Sequence, residues 1–167
     1  PGFDDRGLYD GKWESFYIDG ATSKKFFYNK SKRDQIWMSY YQDGRRENYT
    51  FYALDTLITD YDFTYHKNLQ IMEEPKFSKD GLFDGKWEQF YQDGETKMTF
   101  NYDRNKKDQI WMSYFPDNRR QNYTFYNQDT LITNYDFKYY DNIKIINNPE
   151  YYDYTYYMNL EIVEEPR

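Results

Sequence analysis

The sequence repeats itself after 74 residues without a gap, and this duplication restricts the fold more than any other feature of the chain. Residues 7–13 return as residues 81–87 with one Tyr replaced by Phe, and residues 34–40 return unchanged as residues 108–114. The duplication predicts three parts: a first block of three hairpin units at residues 1–76, a second block of three at residues 77–150, and capping strands at residues 151–167.

Each block contains a shorter repeat of 24 residues with the pattern W-x-S-[FY]-Y-x-D-G-x6-F-Y, which begins at Trp13 and again at Trp37. A more divergent unit begins at Tyr61 and returns at Tyr135, and an extra copy at Tyr152, 17 residues later, makes seven units in all. In this unit Asn68 stands where the earlier units have the turn glycine. Because Asn tolerates a positive φ better than other non-glycine residues, we expect Asn68 to adopt the left-handed turn conformation.

The repeat unit favours β-hairpins, since aromatic and β-branched stretches flank short turns of the Asp-Gly type. No window keeps the apolar stripe of an amphipathic helix over three turns. The sequence therefore predicts an all-β, internally duplicated antiparallel meander of tandem hairpins. Alternation along the first strand places Trp13, Ser15 and Tyr17 on one side and Glu14 and Phe16 on the other, so both faces carry rings. Two forms remain open: a twisted single-layer sheet, or a rolled barrel or sandwich.

Tyrosine explains how so polar a chain can fold. Aromatic residues make up 23% of the sequence, and 22 of them are Tyr, although the mean hydropathy is −1.19. A Tyr ring buries a large apolar area while its hydroxyl stays hydrated or bonded, so a Tyr-rich sheet is cohesive with few aliphatic residues.

The charge pattern excludes several classes of partner. The net charge is −7, and the short basic stretches are scattered among acids, which argues against nucleic acid and anionic membranes as partners. We assign these basic residues to solvated turns and strand edges. No apolar run approaches the ~20 residues of a transmembrane helix, so no transmembrane segment is expected. The absence of Cys excludes disulfides and thiolate metal sites.

A short aromatic and glycine motif connects the chain with a known repeat family. The motif Y-x-G-x-W at Tyr9, which returns as F-x-G-x-W at Phe83, resembles the opening of the MORN (membrane occupation and recognition nexus) repeat. The string G-K-W-x-x-F-Y-x-D-G at Gly85, followed by another Trp 24 residues after Trp87, is similar to the variant MORN repeat of bacterial antitoxin-like and surface proteins. The resemblance covers four of seven units. It implies an elongated sheet of stacked hairpins for protein contacts, sometimes membrane-associated, without chemistry of its own.

Few residues suggest catalysis. His66 is the single histidine, and its counterpart in the second block is Tyr140, so a duplicated site cannot depend on imidazole. Carboxylates recur at matching positions: Glu14, Glu88, Asp34, Asp108, Asp62, Asp136 and Asp153. Paired acids can serve glycoside hydrolysis, but recurrence at one repeat phase favours bonds to turn amides or cross-strand pairs. The sequence predicts no enzyme, no catalytic residues and no metal site, and it identifies no cofactor.

Rings on the repeated strands are the candidate binding residues. They are two sets of four, the second placed four residues after the first: Trp13, Trp37, Trp87 and Trp111, with Tyr17, Tyr41, Tyr91 and Phe115. One interpretation is a core ladder, and the other is an exposed platform. We expect a binding or scaffolding module that contacts a protein partner or self-associates. The alternative is a secreted carrier of a pigment or other flat hydrophobic ligand, or a carbohydrate-binding protein with a Trp/Tyr-lined site.

Three acceptor patterns for N-glycosylation begin at Asn29, Asn48 and Asn122. They favour a secreted or cell-surface glycoprotein. Two of them lie in the duplicated strand, so the repetition itself is a competing explanation for their presence.

Overall fold

The structure is a computed structural model that describes residues 2–139, and its regular elements there are all β-strands. In chain order they are β1 (Gly2–Phe3), β2 (Tyr9–Phe16), β3 (Thr22–Asn29), β4 (Lys32–Tyr40), β5 (Arg46–Ala53), β6 (Thr56–Asp62), β7 (Glu73–Glu74), β8 (Gly85–Phe90), β9 (Thr96–Asp103), β10 (Lys106–Tyr114), β11 (Arg120–Asn127) and β12 (Thr130–Asp136). They form two antiparallel six-stranded sheets, in which each strand pairs with its neighbours in sequence. The predicted all-β hairpin meander is confirmed.

Both sheets are open. In the described part of the chain, β1 does not pair with β6, and β7 does not pair with β12. The rolled barrel that the sequence left open is therefore wrong.

Two turn types join the strands. In the tighter type, two successive residues both have a positive φ, as at Lys30 (50°) and Ser31 (65°). Such type I′ geometry matches the twist of the flanking strands. In the longer type, Gly44 (φ 84°) donates its N–H to the Tyr41 carbonyl (2.9 Å), and Asp43 Oδ1 accepts a bond from a following backbone N–H. A side chain at Gly44 would therefore be strained by its backbone conformation.

The prediction for Asn68 is wrong by one residue. Leu69 has the positive φ (69°), and Asn68 does not. The His66 N–H donates to the Gln70 carbonyl (2.8 Å), which places this turn one residue later than the 24-residue period requires. Asn68 therefore occupies the Asp position of the turn, where its Oδ1 accepts a bond from the Gln70 N–H (3.3 Å) as Asp43 does in the preceding unit.

The two faces of the sheets differ in burial, as the alternation predicts. Along β2, Trp13 and Ser15 are half-buried, whereas Glu14 and Phe16 are exposed. The front face is the side that carries these ring residues: Trp13, Phe26, Tyr28, Trp37 and Tyr52 in the first sheet, and Trp87, Phe100, Tyr102, Trp111 and Tyr126 in the second. The back face is the opposite side, which on β5 and β6 carries Tyr49, Phe51, Thr59 and Tyr61.

The segment between β6 and β7 links the two sheets. Tyr65 forms an isolated bridge with Ile71, and its hydroxyl donates to the Arg46 carbonyl (2.7 Å) in the first sheet. His66 Nε2 donates to the Phe90 carbonyl (2.9 Å) in the second sheet. The second sheet begins at β7, just before the predicted block boundary at residues 76 and 77, and that boundary stays a prediction. The predicted capping strands at residues 151–167, with Tyr140 and Asp153, lie outside the described residues.

Candidate interaction surface

The front face of the first sheet is a continuous cluster of rings around Trp13. The Trp13 ring lies 5.5 Å from Phe3, 4.9 Å from Tyr9 and 6.5 Å from Phe26, measured between centroids. Phe26 in turn lies 5.0 Å from Trp37. The predicted tryptophan ladder is therefore interleaved with phenylalanine, because β3 lies between the two strands that carry Trp13 and Trp37.

The second sheet repeats this cluster. Trp87 lies 4.8 Å from Phe83 and 5.8 Å from Phe100, and Phe100 lies 4.9 Å from Trp111. Trp87 thus contacts the counterparts of the rings that contact Trp13. Phe26 and Phe100 are not among the predicted ring residues, although each follows its Trp by 13 residues and so marks the opposing strand of the hairpin.

The second predicted set of rings lies one residue beyond the strands, at the hairpin turns: Tyr17, Tyr41, Tyr91 and Phe115. Tyr17 donates its hydroxyl to the Tyr40 carbonyl (2.7 Å), and Tyr91 donates to the Tyr114 carbonyl (2.7 Å). Tyr41 and Phe115 pack edge-on against a ring of the following unit. These residues therefore tie successive turns together and do not extend the tryptophan clusters.

The arginines at the turns, which the charge pattern assigns to solvent, also contact aromatic rings. The Arg45 guanidinium lies between the rings of Tyr41 (5.1 Å) and Tyr65 (4.6 Å). Arg46 lies 4.4 Å from the Phe63 ring and forms an ion pair with Glu74 (2.7 Å). A guanidinium stacks well on aromatic faces, so these residues also contribute packing.

The back face of the first sheet covers the front face of the second. Tyr49 stacks on Phe77 with centroids 3.9 Å apart and planes 13° apart, and the Tyr61 ring lies 5.6 Å from Trp87. Gly81 is so close to Phe51 that a Cβ there would lie 2.1 Å from the ring. As a result Trp87 is only 2% exposed. We call this contact the internal junction.

The matching surface at the start of the first block has no such cover within residues 2–139. Phe3 and Tyr9, the counterparts of Phe77 and Phe83, are 59% and 47% exposed. Gly7, the counterpart of Gly81, is exposed, and a Cβ there would meet no atom within 4 Å. Trp13 and Phe26 are half-buried. The first block therefore presents an open ring surface whose twin in the second block is buried.

The phenols at the internal junction act as apolar surfaces. Burial raises the pKa of Tyr49 to about 12, and its buried hydroxyl has no hydrogen-bond partner among the described residues. Burial, together with the Glu73 carboxylate, raises the pKa of Tyr61. Both rings therefore stay protonated at neutral pH, and neither is activated as a base or nucleophile.

Among the residues that the structure describes, the recurrent carboxylates have structural partners. Asp34 Oδ1 accepts a bond from the backbone N–H of Leu54 (3.1 Å), and Asp108 Oδ1 does the same for Gln128 (3.2 Å). Glu14 pairs across strands with a lysine at 3.5 Å. Within the described ranges, no three His, Asp or Glu side chains are grouped as a metal site would require.

A shallow groove of roughly 340 Å³ lies where the segment before β7 meets the end of β8. It is lined by His66, Met72, Glu73 and Phe90, among others, and Tyr91 is the one of the eight predicted ring residues that contributes to it. The tryptophan clusters lie elsewhere: the first on the open front face of the first sheet, and the second at the covered internal junction. The Trp/Tyr-lined ligand site stays a prediction.

No family model matches the chain, and no curated protein matches it either. Through residue 139, we find no helix with the length and apolarity needed to cross a bilayer.

The predicted glycosylation sites lie on or beside strands. Asn48 Nδ2 donates to Asp60 Oδ1 (2.7 Å) and to Asp62 Oδ1 (2.9 Å), and Asn122 makes the matching pair of bonds in the second block. Asn29 ends β3, and its Nδ2 makes a single longer bond to Asp34 (3.4 Å). The three sites remain predictions, and the structure gives the Asn48 and Asn122 amides a role in strand pairing.

Proposed function

We propose that the chain is a non-enzymatic binding module of the variant MORN type, which binds a protein through the front face of its first block. The observation that carries this proposal is the internal junction. There the same ring surface, built from the same residue types, is covered by protein in the same molecule.

The exposure of the rings supports the proposal. Phe3 and Tyr9 are largely exposed next to the half-buried Trp13, so they extend one apolar surface. Contiguous exposed apolar surface on a soluble domain is typical of interaction sites. Aromatic residues are also the side chains that contribute most to protein interfaces.

The small-ligand alternative has less support. Ligand sites are concave and enclose most of the ligand surface. The front face of the first block is an open sheet, and the groove beside Tyr91 is lined by a mixture of polar and apolar side chains. A flat protein surface fits the open face better than a pigment or a sugar does.

The proposal is tested with two exposed positions on opposite sides of β2. We would immobilise the wild-type protein, the Tyr9→Glu variant and the Phe16→Glu variant, and cross-link the proteins that each retains from an extract of the source cells. Tyr9→Glu places a charge on the front face, whereas Phe16→Glu places it on the other side. We expect a discrete protein species that is lost with Tyr9→Glu and kept with Phe16→Glu.

Two results would count against the proposal. One is a set of retained proteins that does not depend on Tyr9. The other is a stoichiometric small molecule in the native mass spectrum of the purified protein whose binding is abolished by Tyr9→Glu, which would establish the carrier alternative.

A further inference from the structure

We infer that the partner of the open front face is a second copy of this chain, which docks the back of its second block there in a head-to-tail arrangement. The inference rests on the proposed function, because it names the protein that the first block binds. It starts from the fact that both sides of the internal junction occur twice in the sequence.

We call the covered front face of the second block the acceptor side of the internal junction. This side recurs at the start of the first block. Residues 81–87, which hold Gly81 and Trp87 in the internal junction, have the sequence of residues 7–13 except for one Tyr to Phe change. Phe77 likewise corresponds to Phe3. The acceptor surface of the first block is exposed, with open space above Gly7 where Phe51 fills the matching space above Gly81.

We call the covering back face of the first block, on β5 and β6, the donor side. This side recurs on β11 and β12 of the second block. Residues 48–52 of β5 return unchanged as residues 122–126 of β11. Tyr49 is 3% exposed at the internal junction, whereas its counterpart Tyr123 is half-buried. Thr59 is buried, whereas its counterpart Thr133 is exposed. Within residues 2–139, Tyr123 and Thr133 on the back face of the second block are therefore more exposed than their counterparts in the internal junction.

The internal junction gives the geometry of the docked pair. Tyr123 of one copy would stack on Phe3 of the next, as Tyr49 stacks on Phe77, and Phe125 would lie over Gly7 as Phe51 lies over Gly81. One molecule already contains this contact, built from the same residues except for Tyr9 in place of Phe83. No new complementarity has to be assumed.

The two docking surfaces are different patches, so the contact is heterologous. Such contacts produce open chains or closed rings of copies and do not stop at a symmetric dimer unless the ring closes at two. Between copies the two surfaces also lack the covalent link of the internal junction, so association costs translational and rotational freedom. We therefore expect assembly that depends strongly on protein concentration.

Sedimentation velocity of the full chain tests the inference. We would follow the wild-type protein from about 1 μM to about 1 mM, a range that covers weak and transient interfaces. We expect the mean mass to rise from that of a monomer to at least that of a dimer. Phe3→Glu on the acceptor side and Thr133→Glu on the donor side should each keep the protein monomeric. Phe16→Glu, which is exposed on the other side of β2, should assemble like the wild type.

Mixing the two blocked variants gives the sharpest result. Phe3→Glu keeps an intact donor surface, and Thr133→Glu keeps an intact acceptor surface. An equimolar mixture should therefore form a one-to-one dimer and nothing larger, although neither variant associates alone. Far-UV circular dichroism of each variant confirms that the exposed substitutions leave the sheet intact.

The inference is overturned if the wild-type protein stays monomeric over the whole range, if either blocked variant still assembles, or if the mixture does not form a dimer. A monomeric wild type that still retains another protein through Tyr9 would overturn the head-to-tail contact alone. A wild-type protein that neither self-associates nor retains another protein through Tyr9 would overturn the proposed function as well.

Discussion

The ring of Phe77 lies flat on the ring of Tyr49, with centroids 3.9 Å apart and planes 13° apart. Phe77 precedes the Gly-Leu-Phe motif of the second block, and Tyr49 belongs to the back face of β5. Their contact joins two sheets that share no strand pairing. The stability of the second block should therefore depend on the first, even though each block has its own cluster of rings.

Substitution of the equivalent glycines Gly7 and Gly81 isolates the internal junction. Both have a positive φ (75° and 80°), so replacement by Ala costs about 1 kcal/mol at each position through the backbone. At Gly81 the new Cβ also collides with Phe51. We expect Gly81→Ala to lower the free energy of unfolding by about 2 kcal/mol more than Gly7→Ala, a typical cost of overpacking.

Urea denaturation of the two variants measures this difference. Equal losses of stability for Gly7→Ala and Gly81→Ala would mean that Phe51 does not press on Gly81. The Gly7→Ala variant is the control for the backbone cost, since its Cβ meets no neighbour.

The tryptophans should differ in their sensitivity to loss of the indole N–H. Trp37 donates Nε1–H to the Phe27 carbonyl (3.0 Å), whereas the buried Nε1 of Trp13 has no partner among the described residues. Both Trp→Phe changes remove ring area, but only Trp37→Phe leaves a carbonyl unpaired. We expect Trp37→Phe to cost about 1 kcal/mol more than Trp13→Phe in thermal or urea unfolding. A larger cost at Trp13 would contradict this assignment.

Tyr49 should make the protein sensitive to alkali. Its pKa is raised from 10.0 to about 12 in the folded state because the ring is buried. The folded protein therefore holds the phenol proton more tightly than the unfolded chain does. This contribution to stability is complete below pH 10 and is lost as the pH rises through about 12, by on the order of 2 kcal/mol.

The Tyr49→Phe variant separates this effect from the titration of other groups. It removes a buried hydroxyl without a partner, so we expect it to be about 1 kcal/mol more stable than the wild type at neutral pH. The difference should widen at about pH 11.5, as the wild type loses stability. Tyr123→Phe, at the half-buried counterpart, serves as the control. A constant difference between Tyr49→Phe and the wild type across this range would show that Tyr49 is not buried as described.

Glycosylation, if the chain passes through a glycosylating compartment, should favour Asn29. The Nδ2 atoms of Asn48 and Asn122 each donate two bonds shorter than 3.0 Å, and a glycan on Nδ2 would disturb them. Asn29 makes one longer bond beside a turn. Peptide mass spectrometry should find occupancy at Asn29 well above that at the other two sites. Full occupancy at Asn48 and Asn122 would contradict this ranking.

The strands could be predicted from the sequence because hairpin patterns are local. Alternation around Trp13 and the positive φ at Gly20 and Gly44 follow from neighbouring residues. The Asn68 prediction failed because the third unit has one extra residue before its turn, which a fixed 24-residue period cannot detect.

The candidate surface could be predicted only in part. The tryptophans were found because they recur, and Phe26 lies opposite Trp13 on a neighbouring strand that the repeat also defines. The contact of Tyr49 with Phe77 depends on how one sheet packs on the other, and it joins residues of different sheets that no hairpin pattern relates. No local pattern distinguishes Tyr49, which is buried, from Tyr123, which has the same neighbours in sequence.

The central claim is that the back of the first block covers the front of the second. A double-mutant cycle between Tyr49 and Phe77 tests this claim most directly. The variants are Tyr49→Leu, Phe77→Leu and the double variant, with unfolding followed at a concentration where the protein is monomeric. For a stacked pair we expect a coupling free energy of about 1 kcal/mol. The same cycle between Tyr123 and Phe3, which do not meet within one molecule, should give none. A coupling near zero for Tyr49 and Phe77 would contradict the internal junction.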